Sequence, residues 1–242
     1  MSKIDKHTLK DNEVDHFIVK AREFVQENPR QIIIPIIVVV AVVAGGIFGV
    51  NYYKSQSVKG DLSLTSAQIR YQQVDNAPDR GSELLALSES EKAFKKTAQD
   101  YSGNRYGKIA RVYVADNMYK AGKYDDAIKA YREAISSGAP KKGETAAWAQ
   151  MSIGYCYLNK NDYKTAKTEF ETLTNKYPDS FLVPSAKLQI ASCLEKSNDV
   201  EKAKEIYKSV AETYTDSSWG AEAKTRLAAL GVDIAQTAKS AK

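Results

Sequence analysis

The side chains that most often carry chemistry are few in this chain and poorly placed for it. Its only histidines, His7 and His16, stand before a long uncharged stretch at 31–50 and away from everything that follows it. Residues 51–242 therefore hold no Ser–His or Cys–His pair for nucleophilic attack and no histidine to ligate a metal. There is no Gly-rich phosphate loop, because Gly45-Gly46 falls inside the uncharged stretch. Carboxylates are plentiful, but on helices they usually form a solvated face. The expectation is no enzyme, no catalytic residue, no cofactor, no metal and no small-molecule substrate. What remains is the chemistry of contact, carried by aromatic and aliphatic side chains at helical spacing.

Those side chains need elements to present them, and the stretch 150–178 supplies the pattern. It reads Gln150, Ile153-Gly154, Tyr157, Tyr163, Ala166, Phe170 and Pro178. This resembles a tetratricopeptide (TPR) unit, W-x2-L-G-x2-Y then A-x3-F then P, with Gln150 where the Trp would stand. Such a unit is a pair of antiparallel helices. Gly154 and Ala166 are small where the two cross, Tyr157 and Phe170 fill the space between, and Pro178 stops the second helix. One pair leaves an apolar face uncovered, so neighbours are required. Ala127 with Ala115 and Tyr131 marks one neighbour; Ala203 with Ala191 and Tyr207 marks another. A degenerate copy precedes them, in which Phe94 parallels Phe170 and Ser90 takes the small position. The expected fold is all-α: a TPR-type helical-hairpin solenoid with hairpins at about 61–101, 108–139, 147–178 and 184–215. A capping helix at 219–230 and a loose tail at 231–242 complete it.

In stacked hairpins the first helix of each lines the concave side. The inward places are Ile109, Val112, Asp116 and Tyr119; then Trp148, Met151, Tyr155 and Leu158; then Ser185, Leu188, Ser192 and Glu195. The middle set is apolar and aromatic, which suits an apolar or extended peptide because such side chains offer large, adaptable contact area. An equally open reading is that the chain's own residues 55–75, or the capping helix, cover this stripe. A clamp for a C-terminal carboxylate is not expected, since Val112, Met151 and Leu188 stand where Lys and Asn would be needed. Cys156 and Cys193 occupy equivalent places in successive units. Equivalent positions on stacked helices lie about 8–10 Å apart, beyond the Cα separation of about 7 Å a disulfide tolerates, so free thiols are expected.

The uncharged stretch is a transmembrane helix by length and composition. Ile32–Val50 at about 1.5 Å per residue spans about 28 Å, close to the hydrocarbon thickness of a bilayer. Tyr52-Tyr53 and Lys54 follow as interfacial anchors, and Pro35 falls in its expected first turn. Ala41, Gly45 and Gly49 place small residues every fourth position, a face that permits close helix packing. A cleaved signal peptide is disfavoured because the polar lead-in is 30 residues long and contains its own amphipathic helix, at 13–26, ended by Asn28-Pro29. Residues 1–13 are expected to have little fixed structure. The organisation is thus a cytoplasmic segment 1–30, a membrane helix 31–51 and a repeat domain 52–230. Six Lys/Arg precede the span against three in the twenty residues after it, which puts the N-terminus in the cytoplasm and the repeats across the membrane, the periplasm of a bacterium.

Residues 1–30 carry six basic and six acidic groups, so the net +5 belongs entirely to 51–242, with 29 basic and 24 acidic groups. The charges are dispersed along the helices and form no run, which argues against nucleic acid as a partner. The whole layout resembles the bacterial YfgM-like family, the TPR subunit ancillary to the SecYEG translocon. The likeness rests on Glu13-Val14, on 19–28 (Val19 to Asn28), on Tyr52-Tyr53-Lys54-Ser55-Gln56 and on the short repeat array behind them. The resemblance implies a protein-interaction adaptor in the inner membrane whose partners are translocon subunits, periplasmic chaperones or exported polypeptides. The repeats after Tyr177-Pro178-Asp179-Ser180 also look like those of periplasmic TPR proteins that serve envelope assembly or cell division, which leaves a scaffold as the alternative.

Overall fold

The computed structural model describes the backbone of residues 6–138 and 144–232; side chains before His16 and that of Ile32 lie outside the description. It is all-α, with no strand among the described residues. The chain divides into two compact units, Met1–Gln56 and Ser57–Lys242.

In the first unit, α1 (Lys6–Glu27) begins earlier than the expected start near residue 13. The extra residues, 6–12, contain no Gly or Pro, and Lys6, Leu9 and Lys10 among them are good helix formers. The chain breaks at Asn28, whose amide donates to the Phe24 carbonyl at 3.0 Å, and α2 (Pro29–Asp75) starts with Pro29 at its first position, where a missing N–H does no harm. This helix corrects two expectations. Pro35 lies in its second turn rather than its first, so its missing N–H leaves the Gln31 carbonyl without an intrahelical donor. The helix also runs on without interruption to Asp75, because nothing between Val50 and Leu62 breaks it. Within α2 the stretch with Ala41, Gly45 and Gly49 is exposed, and the helix is long and apolar enough to cross a membrane.

The second unit is a stack of antiparallel hairpins. The end of α2 pairs with α3 (Arg80–Asp100), α4 (Arg105–Lys120) with α5 (Tyr124–Ser136), α6 (Thr145–Asn159) with α7 (Tyr163–Lys176), and α8 (Val183–Lys196) with α9 (Val200–Thr213); α10 (Ser218–Ala229) closes the row. Each hairpin rests on the next, α3 on α4, α5 on α6, α7 on α8 and α9 on α10. Side-chain caps start four of these helices: Asp79, Asn104, Asp162 and Ser217 each accept a backbone N–H from the first turn.

The turns inside three hairpins share one construction. Gly122, Asn161 and Asn198 take φ of 77°, 58° and 65°, and the residue after each donates to a carbonyl five residues back: Lys123 to Met118, Asp162 to Tyr157 and Asp199 to Leu194, all at 2.9 Å. Gly and Asn are the residues that tolerate this left-handed position, and the bond satisfies a carbonyl the ending helix would orphan. The helix α10 ends the same way, with Val232 donating to Leu227 at 3.0 Å, so it finishes as the first helix of a hairpin does.

Two positions set the distance between the paired helices. The small residues Ser90, Ala127, Ala166 and Ala203 are all fully buried, and the ring four residues on, Phe94, Tyr131, Phe170 or Tyr207, is no more than 1% exposed. Opposite them stand Ala115, Gly154 and Ala191, all buried. At Gly154 a Cβ would land on the Phe170 ring, which is why that crossing needs glycine. Ser90 brings a hydroxyl into the interior and donates it to Asn117 on α4, tying the degenerate first hairpin to the second. Gln150, in the place of the motif's Trp, donates to the Glu169 backbone carbonyl at 3.2 Å and to its carboxylate at 2.7 Å, and Arg132 holds the other carboxylate oxygen at 2.7 Å. Tyr157 is half-buried between two core clusters, and Pro178 is exposed just past the end of α7. Part of the expected loop 136–143, and of the tail 231–242, lies outside the described residues.

Candidate functional site

The row of first helices presents the expected inward stripes, but neighbouring hairpins claim much of them. Val112, Met151 and Leu188 are each only 3% exposed. Met151 belongs to the same buried cluster as Leu182, Val183 and Ala186 at the start of α8. Val112 joins Ala149 and Ile153 of α6 in another, and Leu188 clusters with Ala223 and Leu227 of α10. The reason is geometric: when first helices pack side by side, the fifth position of each unit faces the next hairpin rather than solvent. Tyr119, Tyr155 and Leu158 are half-buried, as are Ser185, Ser192 and Glu195. Trp148 alone of the middle set is exposed, at 48%.

What stays open is a cleft of about 590 Å³ beside α4. Its floor is Ile109, Val112 and Asp116 on α4; one wall is the end of α2, with Gln68, Tyr71, Gln72 and Asp75; the other is the start of α6, with Glu144, Thr145 and Trp148. The chain's own residues thus do border the stripe, but only along one side. An aromatic cluster holds that wall in place. Tyr71 meets Phe94 and Tyr113 edge-on with centroids 6.0 and 5.6 Å apart, and Phe94 stacks on Tyr113 at 4.7 Å. Gln68 donates to the Tyr113 hydroxyl at 3.0 Å. Lys120 pairs with Asp75 while its ammonium lies 4.3 Å from the centre of the Tyr71 ring, so it anchors the wall to α4 twice.

Asp116 is the unusual group. It is 7% exposed, and burial pushes its carboxyl up to about 6 from 3.8; the hydrogen bond from the Tyr131 hydroxyl acts the other way, as do the Trp148 indole and the positive charge of Lys120. Its origin is local: the ring at the centre of α5 is Tyr131, and a phenol brought into the interior needs an acceptor. In the fourth hairpin Tyr207 donates to Glu195 at 3.3 Å, an acid one turn further along the first helix and only half-buried. At the rim, Glu144 accepts from the Ser180 hydroxyl. All charged side chains lining the cleft are therefore acidic: Asp75, Asp116 and Glu144.

The wall from Gln68 to Asp75 and the rim at Glu144 are the parts that the inward-position count did not reach. Tyr71 falls in step with Leu64, Ala67 and Val74, all buried, and that stripe on α2 was the available signal. Cys156 and Cys193 are free and buried, and burial raises their thiols to about 12 and about 11. No group of three or more His, Cys, Asp or Glu side chains suited to a metal occurs among the described residues.

A family model described as tetratricopeptide repeat-like domain matches residues 22–153 and 142–242. No curated protein matches the chain. Among solved structures, the apo form of RapI superposes with a TM-score of 0.55 at 14% identity, over 74% of this chain; the chain spans about half of that protein, 49%. MamA AMB-1 (TM-score 0.43, 16% identity, 67% of this chain and 93% of that one) is also similar. So is a kinesin light chain repeat protein of Podosopora anserina (TM-score 0.44, 11% identity, 68% and 97%). At these identities the likeness to RapI speaks for the helical-repeat fold alone.

Proposed function

This chain belongs to the tetratricopeptide repeat-like domain family, and from that premise we propose that it is a membrane-anchored adaptor which holds other proteins. The helix α2 crosses the inner membrane once, Ala41, Gly45 and Gly49 face neighbouring membrane helices, and the hairpins stand in the periplasm. Residues 6–30 remain in the cytoplasm. The partners are translocon subunits, periplasmic chaperones or exported polypeptides, as the resemblance to the YfgM-like family implies. The observation that carries the reading is the cleft: an aromatic and aliphatic trough of about 590 Å³ on the inner stripe, with Ile109 and Trp148 reachable and Tyr71 fixed opposite. Repeat proteins bind through such concave surfaces. Tyr119, Tyr155 and Leu158 extend the contact surface along the same side.

The test is a photo-reactive residue at Trp148 in the full chain, irradiated in native membranes, with adducts identified by mass spectrometry. The adaptor reading expects translocon subunits, chaperones or many exported chains. One recurring envelope protein would instead favour a fixed scaffold for envelope assembly or cell division, and no protein adduct at all would refute both.

A further inference from the structure

We infer that the cleft between α2, α4 and α6 takes a basic side chain, lysine or arginine, from the bound polypeptide, seated against Asp116 with its flanks on Trp148 and Tyr71. The inference rests on the reading above and names the chemistry of what the same cleft selects. Three observations carry it. The charged side chains of the lining are all acidic, in a chain whose net charge is +5. Two of the three are already engaged, Asp75 by Lys120 and Glu144 by Ser180. The third, Asp116, is more than nine-tenths buried on the floor, and among the described residues no Lys or Arg lies within ion-pair distance of it.

A buried carboxylate held by one neutral donor is an incomplete arrangement, because a hydrogen bond from a phenol, with the Lys120 charge one helical turn away and paired to Asp75, offsets only part of the lost hydration. Burial has raised its proton affinity, which is the same incompleteness seen from the proton's side. A ligand cation entering the cleft would complete the pair at low local dielectric. Trp148, nearly half exposed at the rim, places an indole beside the same cation or its alkyl stem. The cleft has Tyr71 on one wall, Trp148 on the other and Ile109 and Val112 beside Asp116 on its floor, so the methylene stem of lysine or arginine meets apolar surface while its head reaches the carboxylate. An acidic side chain would meet Asp116 and Glu144 with no cation of their own, and a short polar one would leave the trough unfilled.

The experiment uses the full chain in detergent, retained on immobilised heptapeptide arrays with random flanks and one fixed central residue: lysine, arginine, norleucine, citrulline or glutamate. Citrulline and norleucine match the shapes of the basic residues without their charge. The expected result is at least fivefold greater retention on the lysine and arginine arrays than on their neutral counterparts, and least on glutamate. Asp116→Asn keeps an oxygen to accept from Tyr131 and should bring the basic arrays down to the neutral level; Trp148→Ala should lower retention on all five. Equal retention of the wild type on basic and neutral arrays overturns the inference and leaves the adaptor reading standing, whether or not the variants fold. So does a preference that survives Asp116→Asn. Retention on every array unchanged by Trp148→Ala overturns both, since the cleft would then bind nothing.

Discussion

The hairpins α4–α5 and α6–α7 solve one packing problem in two ways. Both place a large ring at the centre of the second helix, Tyr131 in one and Phe170 in the other, and both rings are completely buried. Phe170 has no polar atom to satisfy and its ring fills the space over Gly154; it meets Tyr155 in a T-shaped pair with centroids 5.6 Å apart. Tyr131 carries a hydroxyl into the interior, which demands an acceptor, and Asp116 provides it. That acceptor sits on the inner stripe, and the cleft acquires a charged floor. One oxygen atom at the centre of a repeat thus separates a hairpin whose crossing is closed by apolar contacts from one whose inner stripe carries a buried carboxylate.

The sharpest way to break the contrast is at the closed crossing. Gly154→Val would drive a branched side chain into Phe170 and should destabilise the protein by about 3 kcal/mol in urea unfolding. Ala115→Gly, at the equivalent place opposite Tyr131, should cost only about 1 kcal/mol. Similar losses in the two would mean the crossings are built alike.

A second, somewhat smaller effect reads Asp116 directly. Its carboxyl is raised from 3.8 to about 6, so between those values the unfolded chain has lost its proton while the folded one retains it. Stability should therefore fall as pH rises from about 4 to about 6 and level off above. The loss is about 2–3 kcal/mol relative to Asp116→Asn, which has no proton to lose at this position. The groups facing Asp116 are Tyr131 from α5, Trp148 and Cys156 from α6, Tyr71 from α2 and Lys120 from its own helix, and burial raises Tyr131, Tyr71 and Cys156 further above that window. A constant difference between wild type and variant from pH 4 to pH 7 would remove the buried charge from the account.

Removing the hydroxyl rather than the acid should matter less. Tyr131→Phe takes away the hydroxyl that Asp116 accepts from and should cost about 1–2 kcal/mol at pH 8. A neutral outcome would mean that the phenol is not what holds the floor. The smallest signal is kinetic. With thiols raised to about 12 and about 11 and both buried, Cys156 and Cys193 should react with iodoacetamide at pH 8 roughly a hundredfold or more slower in the folded chain than in urea.

Much of this architecture can be read from residue types. The series Ser90, Ala127, Ala166 and Ala203, each followed four residues on by a ring, states the hairpin spacing outright, and Pro178 marks a helix end. Other features depend on what lies beside a residue rather than on its type. Met151 shares a helical stripe with Trp148, and Val112 and Leu188 hold the place of Met151 on α4 and α8, but the adjoining elements bury these three and leave Trp148 exposed. No periodicity within one helix reports that difference. Pro35 looks harmless if the helix starts at Ile32 and becomes an interior proline once Pro29 begins it. The wall from Gln68 to Asp75 is legible in part: it lies in the hairpin expected at about 61–101 and in the stretch 55–75 expected to cover the stripe, but which of its side chains meet α4 depends on packing between helices.

The most direct test compares crosslinking yields from four positions in the full chain, each carrying the same photo-reactive residue, in native membranes. If the cleft of the second hairpin is where partners are held, yields at Ile109 and Trp148 exceed those at Tyr155 and Leu158 severalfold. Equal yields, or a maximum at Tyr155 and Leu158, would contradict it.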